Sequence, residues 1–293
     1  MTSKPTKPSP TDYFQSFLFD DLDICGACVR LDPVWKRLLA DRNYPGPAAQ
    51  LFGEICVITL LIAAQMKKRG RLTVQLKGTG PVSRLVVDCN ERLQLRGMVT
   101  CAEHIAPGTA RDLIGEGQLQ LSVDFPSTRR PYQSIVPLVG NSISRIFEHY
   151  FKQSEQRETR LLITASTTVA AGLFLQKMPA CDERDPDGWQ RIDTLAKTLK
   201  HKELLSLPTR PLLTRLFHEE KVRLFKATTI EHNSHQNWEN VRWVLRSLGK
   251  EEVYSVLERL GEIVVTDEMS NQKYRLGKQA IDDLFNEPPP TLH

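Results

Sequence analysis

Residues 72 to 99 leave this chain little choice of architecture. Leu72, Val74 and Leu76 alternate with Thr73, Gln75 and Lys77, the pattern of a half-buried strand. Gly78-Thr79-Gly80-Pro81 turns it into a second strand over Arg84 to Cys89, and Asn90-Glu91 turns that into a third over Leu93 to Val99. Parallel neighbours would need crossovers of about a dozen residues or more, so connections this short dictate an antiparallel meander. Further strands are expected at Leu119, Leu121, Val123 and Phe125, at Arg160 to Thr164, and at Ala170 to Lys177.

Helical periodicity supplies the rest. Asn43-Tyr44-Pro45-Gly46-Pro47 opens a long helix to about Lys68, with Pro47 suited to its first turn. Its most apolar run, Ile55 to Ala64, falls short of the ~18 residues of a membrane span, so a buried helix and no membrane partner are expected. A second helix, capped at Asn141 or Ser142, puts Ile143, Ile146, Phe147, Tyr150 and Phe151 on one side. Met178-Pro179-Ala180 and the acidic stretch from Asp182 to Gly188 mark a change of character. Beyond it, Trp189, Ile192, Leu195 and Leu199 share one helical face, and Leu212, Leu213, Leu216 and Phe217 another. So small a pair cannot bury itself and should pack on what precedes it. After Ile230 come two helices, carrying Trp238, Val241 and Leu245, then Val253, Val256, Leu257 and Leu260. Gly261 stops the second, and Ile263 to Val265 pairs with Tyr274 to Leu276 as a hairpin.

The expected organisation is an α/β (α+β) core domain with antiparallel strands over residues 12–180, a helical linker over 181–229, and a small C-terminal α+β domain over 230–286. Residues 1–11 read as a disordered lead without a secretory h-region, and 287–293 as a proline-rich tail.

Chemistry is mostly absent. With 39 Lys+Arg against 35 Asp+Glu the net charge is only +4, which gives no basic stripe for nucleic acid. Six scattered cysteines, one inside the apolar helix, suit a reducing cytoplasm. There is no Gly-x-Ser-x-Gly elbow and no Gly-Lys-Ser/Thr loop, and Gly78-x-Gly80 runs into a strand rather than a helix. No catalytic residue and no cofactor are assigned. Cys25-Gly26-Ala27-Cys28 has thioredoxin-like spacing, but on a strand its two thiols face opposite sides. His232 and His235 are read as surface histidines, because two ligands do not make a metal site.

An ordered set of motifs resembles the redox-regulated 33-kDa heat-shock chaperone family. It comprises Asn43-Tyr44-Pro45-x-Pro47, Thr73-Val74-Gln75-Leu76-x-Gly78-x-Gly80-Pro81, Arg96-Gly97, Tyr150-Phe151-x-x-Ser154-Glu155-Gln156-x-x-Thr159-Arg160, Gly172-Leu173-x-Leu175-Gln176-x-Met178-Pro179 and Leu216-Phe217-His218-Glu219-Glu220. The resemblance runs from about Tyr13 to Phe285. It implies a core domain, a linker draped over it and a C-terminal switch domain, and an ATP-independent holdase that binds unfolding proteins. A homodimer is admitted as an assembly.

One departure stands out. The family's switch domain holds zinc through a Cys-x-Cys and a Cys-x-x-Cys pair, and the resemblance places those positions at Ser234 and Gln236 and at Asp267 and Ser270. No cysteine follows Cys181. Ser and Gln are not zinc ligands, and rescue by His232, His235 and Asp267 lacks a fourth donor. No metal is therefore expected, and the redox switch is read as lost. Structural zinc contributes on the order of 10 kcal/mol to small modules, so Trp238, Trp243 and the Val253–Leu260 helix face are expected to build a compensating core. At least one indole is expected to be buried, with a client-binding surface as the alternative role for tryptophan. The client face is assigned to Trp189, Ile192, Leu195, Leu199, Leu212, Leu213, Leu216 and Phe217. Two other readings stand behind the holdase: a non-chaperone interaction protein on the same fold, and a thiol oxidoreductase using Cys25 and Cys28.

Overall fold

The computed structural model describes residues 11–128, 130–234 and 238–286, which divide into one compact unit through His232 and a second from Asn233. The first unit opens with β1 (Tyr13–Phe19), β2 (Ile24–Leu31), α1 (Pro33–Leu39) and α2 (Gly46–Ala63). The meander follows as β3 (Arg71–Gly78), β4 (Val82–Cys89) and β5 (Gln94–Cys101). Then come α3 (Ala110–Ile114), β6 (Gly117–Asp124), β7 (Tyr132–Val136), α4 (Ile143–Ser154), β8 (Thr159–Ala165) and β9 (Ala170–Lys177). Four helices come next, α5 (Cys181–Arg184), α6 (Gly188–Ala196), α7 (His201–Ser206) and α8 (Thr209–Leu216). Three short strands, β10 (Val222–Leu224), β11 (Thr228–Thr229) and β12 (Glu231–His232), close the unit.

Two sheets result. One has the order β10-β1-β2-β9-β8, with β11 also on β1, and the other the order β12-β5-β4-β3-β6-β7. Their long pairings are antiparallel, with Val74 opposite Val87 on one side and Leu121 on the other, as short turns require. Helix α2 lies against strands of both sheets. From Leu51 on it is apolar on nearly every side, apart from Glu54 and the hydrogen-bonded Thr59, as suits a helix walled in between two sheets. Phe52, Ile55, Ile58 and Leu61 are buried with Leu72, Leu76 and Val87 of the meander, and with Val29, Leu31 and Phe174 of the first sheet. At 18 residues and mean hydropathy 1.6, α2 is long and apolar enough to cross a membrane, but its side chains are spent inside this core. It ends at Ala63, short of the expected Lys68, where the apolar run gives way to Gln65, Lys67 and Lys68. Ser142 caps α4, its hydroxyl accepting from the Arg145 amide at 3.3 Å.

The first sheet is covered on both faces. Along β9, Ala170 and Phe174 turn toward α2, while Ala171, Leu173 and Leu175 turn the other way into a second cluster with α6–α8. A strand buried on both sides loses its alternation, so β9 is buried almost end to end. Segment 181–229 is therefore part of the first compact unit, which runs on through β12 and ends at His232.

The second unit holds α9 (Trp238–Leu248), α10 (Lys250–Leu260), the hairpin β13 (Ile263–Asp267) and β14 (Gln272–Leu276), and α11 (Lys278–Asn286). Gly261 ends α10 at φ +77°, a left-handed cap that favours glycine. Val241, Leu245, Val253, Leu257, Ile263, Tyr274, Leu276, Ile281 and Leu284 make its core. The expected tryptophan core does not form. Trp243 is 68% exposed and Trp238 41%, the latter resting edge-on against Tyr274 at 4.8 Å. The reason is angular: Val241 and Leu245 set the buried face of α9, and Trp243, two residues from each, points away from it. Leu260, at the last turn of α10, is exposed as well.

Candidate functional site

The outer face of the first sheet is an apolar surface covered by a layer of three short helices. Phe17, Phe19, Ile24, Cys28, Leu173 and Leu175 form its floor. Gly26 keeps that floor level: the Phe17 ring sits directly across from it, and a Cβ there would lie 2.2 Å from the ring. Helices α6–α8 form the cover. Of the residues assigned to the client face, Ile192, Leu199, Leu212, Leu213, Leu216 and Phe217 are buried on this floor, while Trp189 and Leu195 are half-buried at its margin. Phe217 meets Phe19 edge-on at 5.1 Å. Each such side chain contributes about 1.5–3 kcal/mol when removed from water, so the cover is held chiefly by area.

Polar groups fix its position. Arg160 on β8 donates from Nε to Asp193 of α6 at 2.5 Å and from Nη1 to Glu148 of α4 at 2.9 Å, and Lys197 pairs with Asp193 at 2.6 Å. Burial alone would raise the Asp193 carboxyl, but Arg160 and Lys197 outweigh it and hold the group below the usual carboxylate range. Stability from this pair is present at neutral pH and is lost as pH falls through the lowered value. Arg30 donates to the Leu205 carbonyl at 2.6 Å, and the Tyr13 hydroxyl receives the Thr209 amide at 3.2 Å and lies 3.1 Å from the Thr209 hydroxyl. His201 Nδ1 and the Thr164 hydroxyl lie 2.9 Å apart. None of these anchors is named by the sequence reading. The one available signal is Asp193 four residues before Lys197, an ordinary helix pair whose second partner lies 33 residues away in the chain.

The thiol reading finds no support in the geometry. Cys25 and Cys28 project to opposite faces of β2, and burial raises both thiols, Cys28 to about 12. A nucleophilic thiol needs the opposite shift.

At the hairpin, the two positions that the resemblance assigns to the family's zinc do not fit it. Ser270 is buried and donates its hydroxyl to Asp267 at 2.6 Å, while the same carboxylate receives the Met269 amide at 3.0 Å. Two positions that a metal would bridge are joined here by a direct hydrogen bond. Ser234 is exposed, and His235 and Gln236 lie outside the described residues. Among the described residues no three His, Cys, Asp or Glu side chains stand together as a metal site. His232 is half-buried in β12 beside Leu95, not the surface histidine expected.

Comparison with known proteins agrees with this architecture. The family described as Hsp33 protein matches residues 12–277. The 33 kDa chaperonin of Chromobacterium violaceum is 35% identical over 280 residues, covering 94% of each chain. That of Azotobacter vinelandii is 37% identical over 284 residues, covering 94% of this chain and 95% of the relative. A crystal structure of the 33 kDa chaperonin (heat shock protein 33 homolog) from Thermotoga maritima superposes with a TM-score of 0.75 at 21% identity, over 94% of this chain and 98% of that one, and so shares the fold. With a covered apolar sheet face, an ordered set of matching motifs and near full-length relatives, the chain belongs to the Hsp33 family of chaperones.

Proposed function

We propose that this chaperone is an ATP-independent holdase of the cytoplasm, that its client surface is the apolar sheet face beneath α6–α8 together with the inner faces of those helices, and that no zinc or thiol switch controls it. The observation that carries this is the shared cluster of Phe17, Phe19, Leu173 and Leu175 with Ile192, Leu212, Leu216 and Phe217. One small undocking step would turn a sealed interface into two apolar surfaces, which is what binding an unfolding chain requires. Heat supplies the trigger in this reading, because the cover is a layer of short helices, the longest of them the nine residues of α6. The partners are partly unfolded proteins; a homodimer fits the scheme, and neither nucleic acid nor a catalytic step enters it.

The test is suppression of a model client's aggregation by the full chain, without nucleotide, with reductant present, across temperature. Activity should rise with temperature and be unchanged by peroxide or chelator, and elemental analysis should give well under one zinc per chain. Activity appearing only after peroxide and reversed by reductant would sink the switch-free reading, and no activity at any temperature would sink the holdase.

A further inference from the structure

The three short strands that follow α8 act as a strap over sheet edges. β10 pairs with β1 through Phe17 opposite Leu224, Leu18 opposite Arg223 and Phe19 opposite Val222. β11 adds Tyr13 opposite Thr229 and Phe14 opposite Thr228. The Phe225 amide donates to the Ser16 carbonyl at 3.0 Å, and the Asp20 amide to the Lys221 carbonyl at 3.0 Å. The strap thus satisfies the outward backbone groups of β1, and it is thin. The residues of β10 and β11 are half-buried or exposed, and Phe225 is 45% exposed. Its ion pairs, Arg223 with Asp20 and Lys221 with Asp21, lie at the surface, where such pairs add little.

What it covers is unusual. β1 reads Tyr-Phe-Gln-Ser-Phe-Leu-Phe, without charge, proline or glycine. An edge of that composition is a template for any extended segment, and proteins ordinarily blunt such edges. The opposite edge of the same sheet is treated differently: there the Leu161 amide of β8 is satisfied by the Glu148 carboxylate at 2.9 Å, a side chain of α4 rather than a strand.

We infer that the β1 edge is a second client-binding element, which takes an extended apolar segment of an unfolding protein by strand addition in place of the strap. The strap is the occupant's template: it shows the direction, antiparallel, and the register in which main-chain hydrogen bonds form. Strand addition draws affinity from the backbone and is indifferent to most side chains, which suits a binder of many sequences. It also complements the sheet face, which selects for apolar area. The inference rests on the holdase reading for the identity of the client.

The probe is a labelled peptide of the strap's own sequence, residues 222–229, titrated onto the full chain before and after heat activation. In an antiparallel ladder alternate residues face the partner, so the amides of 223 and 225 face β1 and those of 222 and 224 face away. N-methylation at 223 and 225 should weaken binding about tenfold or more, while methylation at 222 and 224 should change it less than about twofold. Unheated protein should bind poorly. The Arg223→Pro variant, which removes one strap donor, should bind the peptide without heating and then suppress client aggregation at lower temperature. Equal binding of the two methylated peptides, or no binding to heat-treated protein, would overturn strand addition while leaving the sheet face intact. Register-dependent peptide binding by a chain that never protects a client would remove the holdase reading and leave the edge as a peptide site.

Discussion

The cover of the first sheet and the C-terminal unit are both mostly helical, yet they are built on opposite principles. Helices α6–α8 have no core of their own. Their buried apolar residues share one cluster with Phe17, Phe19, Ile24, Leu173 and Leu175 of the floor, and Arg160–Asp193 pins them in place. The C-terminal unit, by contrast, closes its own small core around Tyr274 and leaves Trp243, Leu248 and Leu260 exposed. A layer that depends wholly on a floor can leave it in one step. A self-contained module instead melts by itself. On the proposed reading, the first would detach and the second would unfold.

Four changes would break or sharpen that contrast. Leu212→Asp puts a charge into the interface between cover and floor, at a cost of about 4 kcal/mol. Amide exchange should become fast across residues 188–217, an apolar dye should bind the unheated protein, and the C-terminal unit should keep its protection. Tyr274→Ala opens the C-terminal core and loses the Trp238 contact, costing about 3 kcal/mol. Its melting should separate from that of the first unit in calorimetry, with the cover still docked at low temperature.

Glu54→Gln probes α2 between the two sheets. Burial raises the Glu54 carboxyl to about 7 from 4.5, against the smaller opposing effect of the Gln50 hydrogen bond at 3.0 Å. The folded state therefore holds this proton more tightly than the unfolded one, so the group's contribution to stability is full below about 4.5 and is lost as pH rises through 7. Because Glu54 is only half-buried, the loss is of order 1 kcal/mol. The Gln variant should flatten that part of the melting-temperature profile and melt a few degrees higher at pH of about 8. Smallest of all, Trp243→Ala should change stability by less than about 0.5 kcal/mol, as for an ordinary surface site. A loss of about 2 kcal/mol would mean that this indole is covered in the working protein.

The parts of this fold legible in the sequence are those with one face in water. Strands β3 and β6 alternate cleanly, and α4, α6 and α8 carry their apolar residues on one side. β1 gives no such signal, since the first sheet is buried on both faces and period 2 vanishes there. The strap strands are two or three residues long and exist only through partners far away in the chain, at β1 and β5. The helical side of the apolar interface is legible for the same reason as its helices, while its floor on β1 is not. Its polar half is not, since nothing in Thr159-Arg160-Leu161 tells which carboxylate the guanidinium will meet. Trp243 misleads because helix angle, not size, decides its burial, whereas Trp238 lies on the buried side of α9 but at its first residue.

The turn joining β13 to β14 has a consequence for time rather than for energy. A thiol pair is a memory: once oxidised it keeps a record of the insult until a reductant erases it, over seconds to hours. Here Asp267 and Ser270 close the turn by a hydrogen bond, and no thiol lies anywhere after Cys181. Such a contact re-forms on the microsecond scale of a hairpin. On the switch-free reading proposed above, a unit built this way would report only the present and stand down as soon as the stress does.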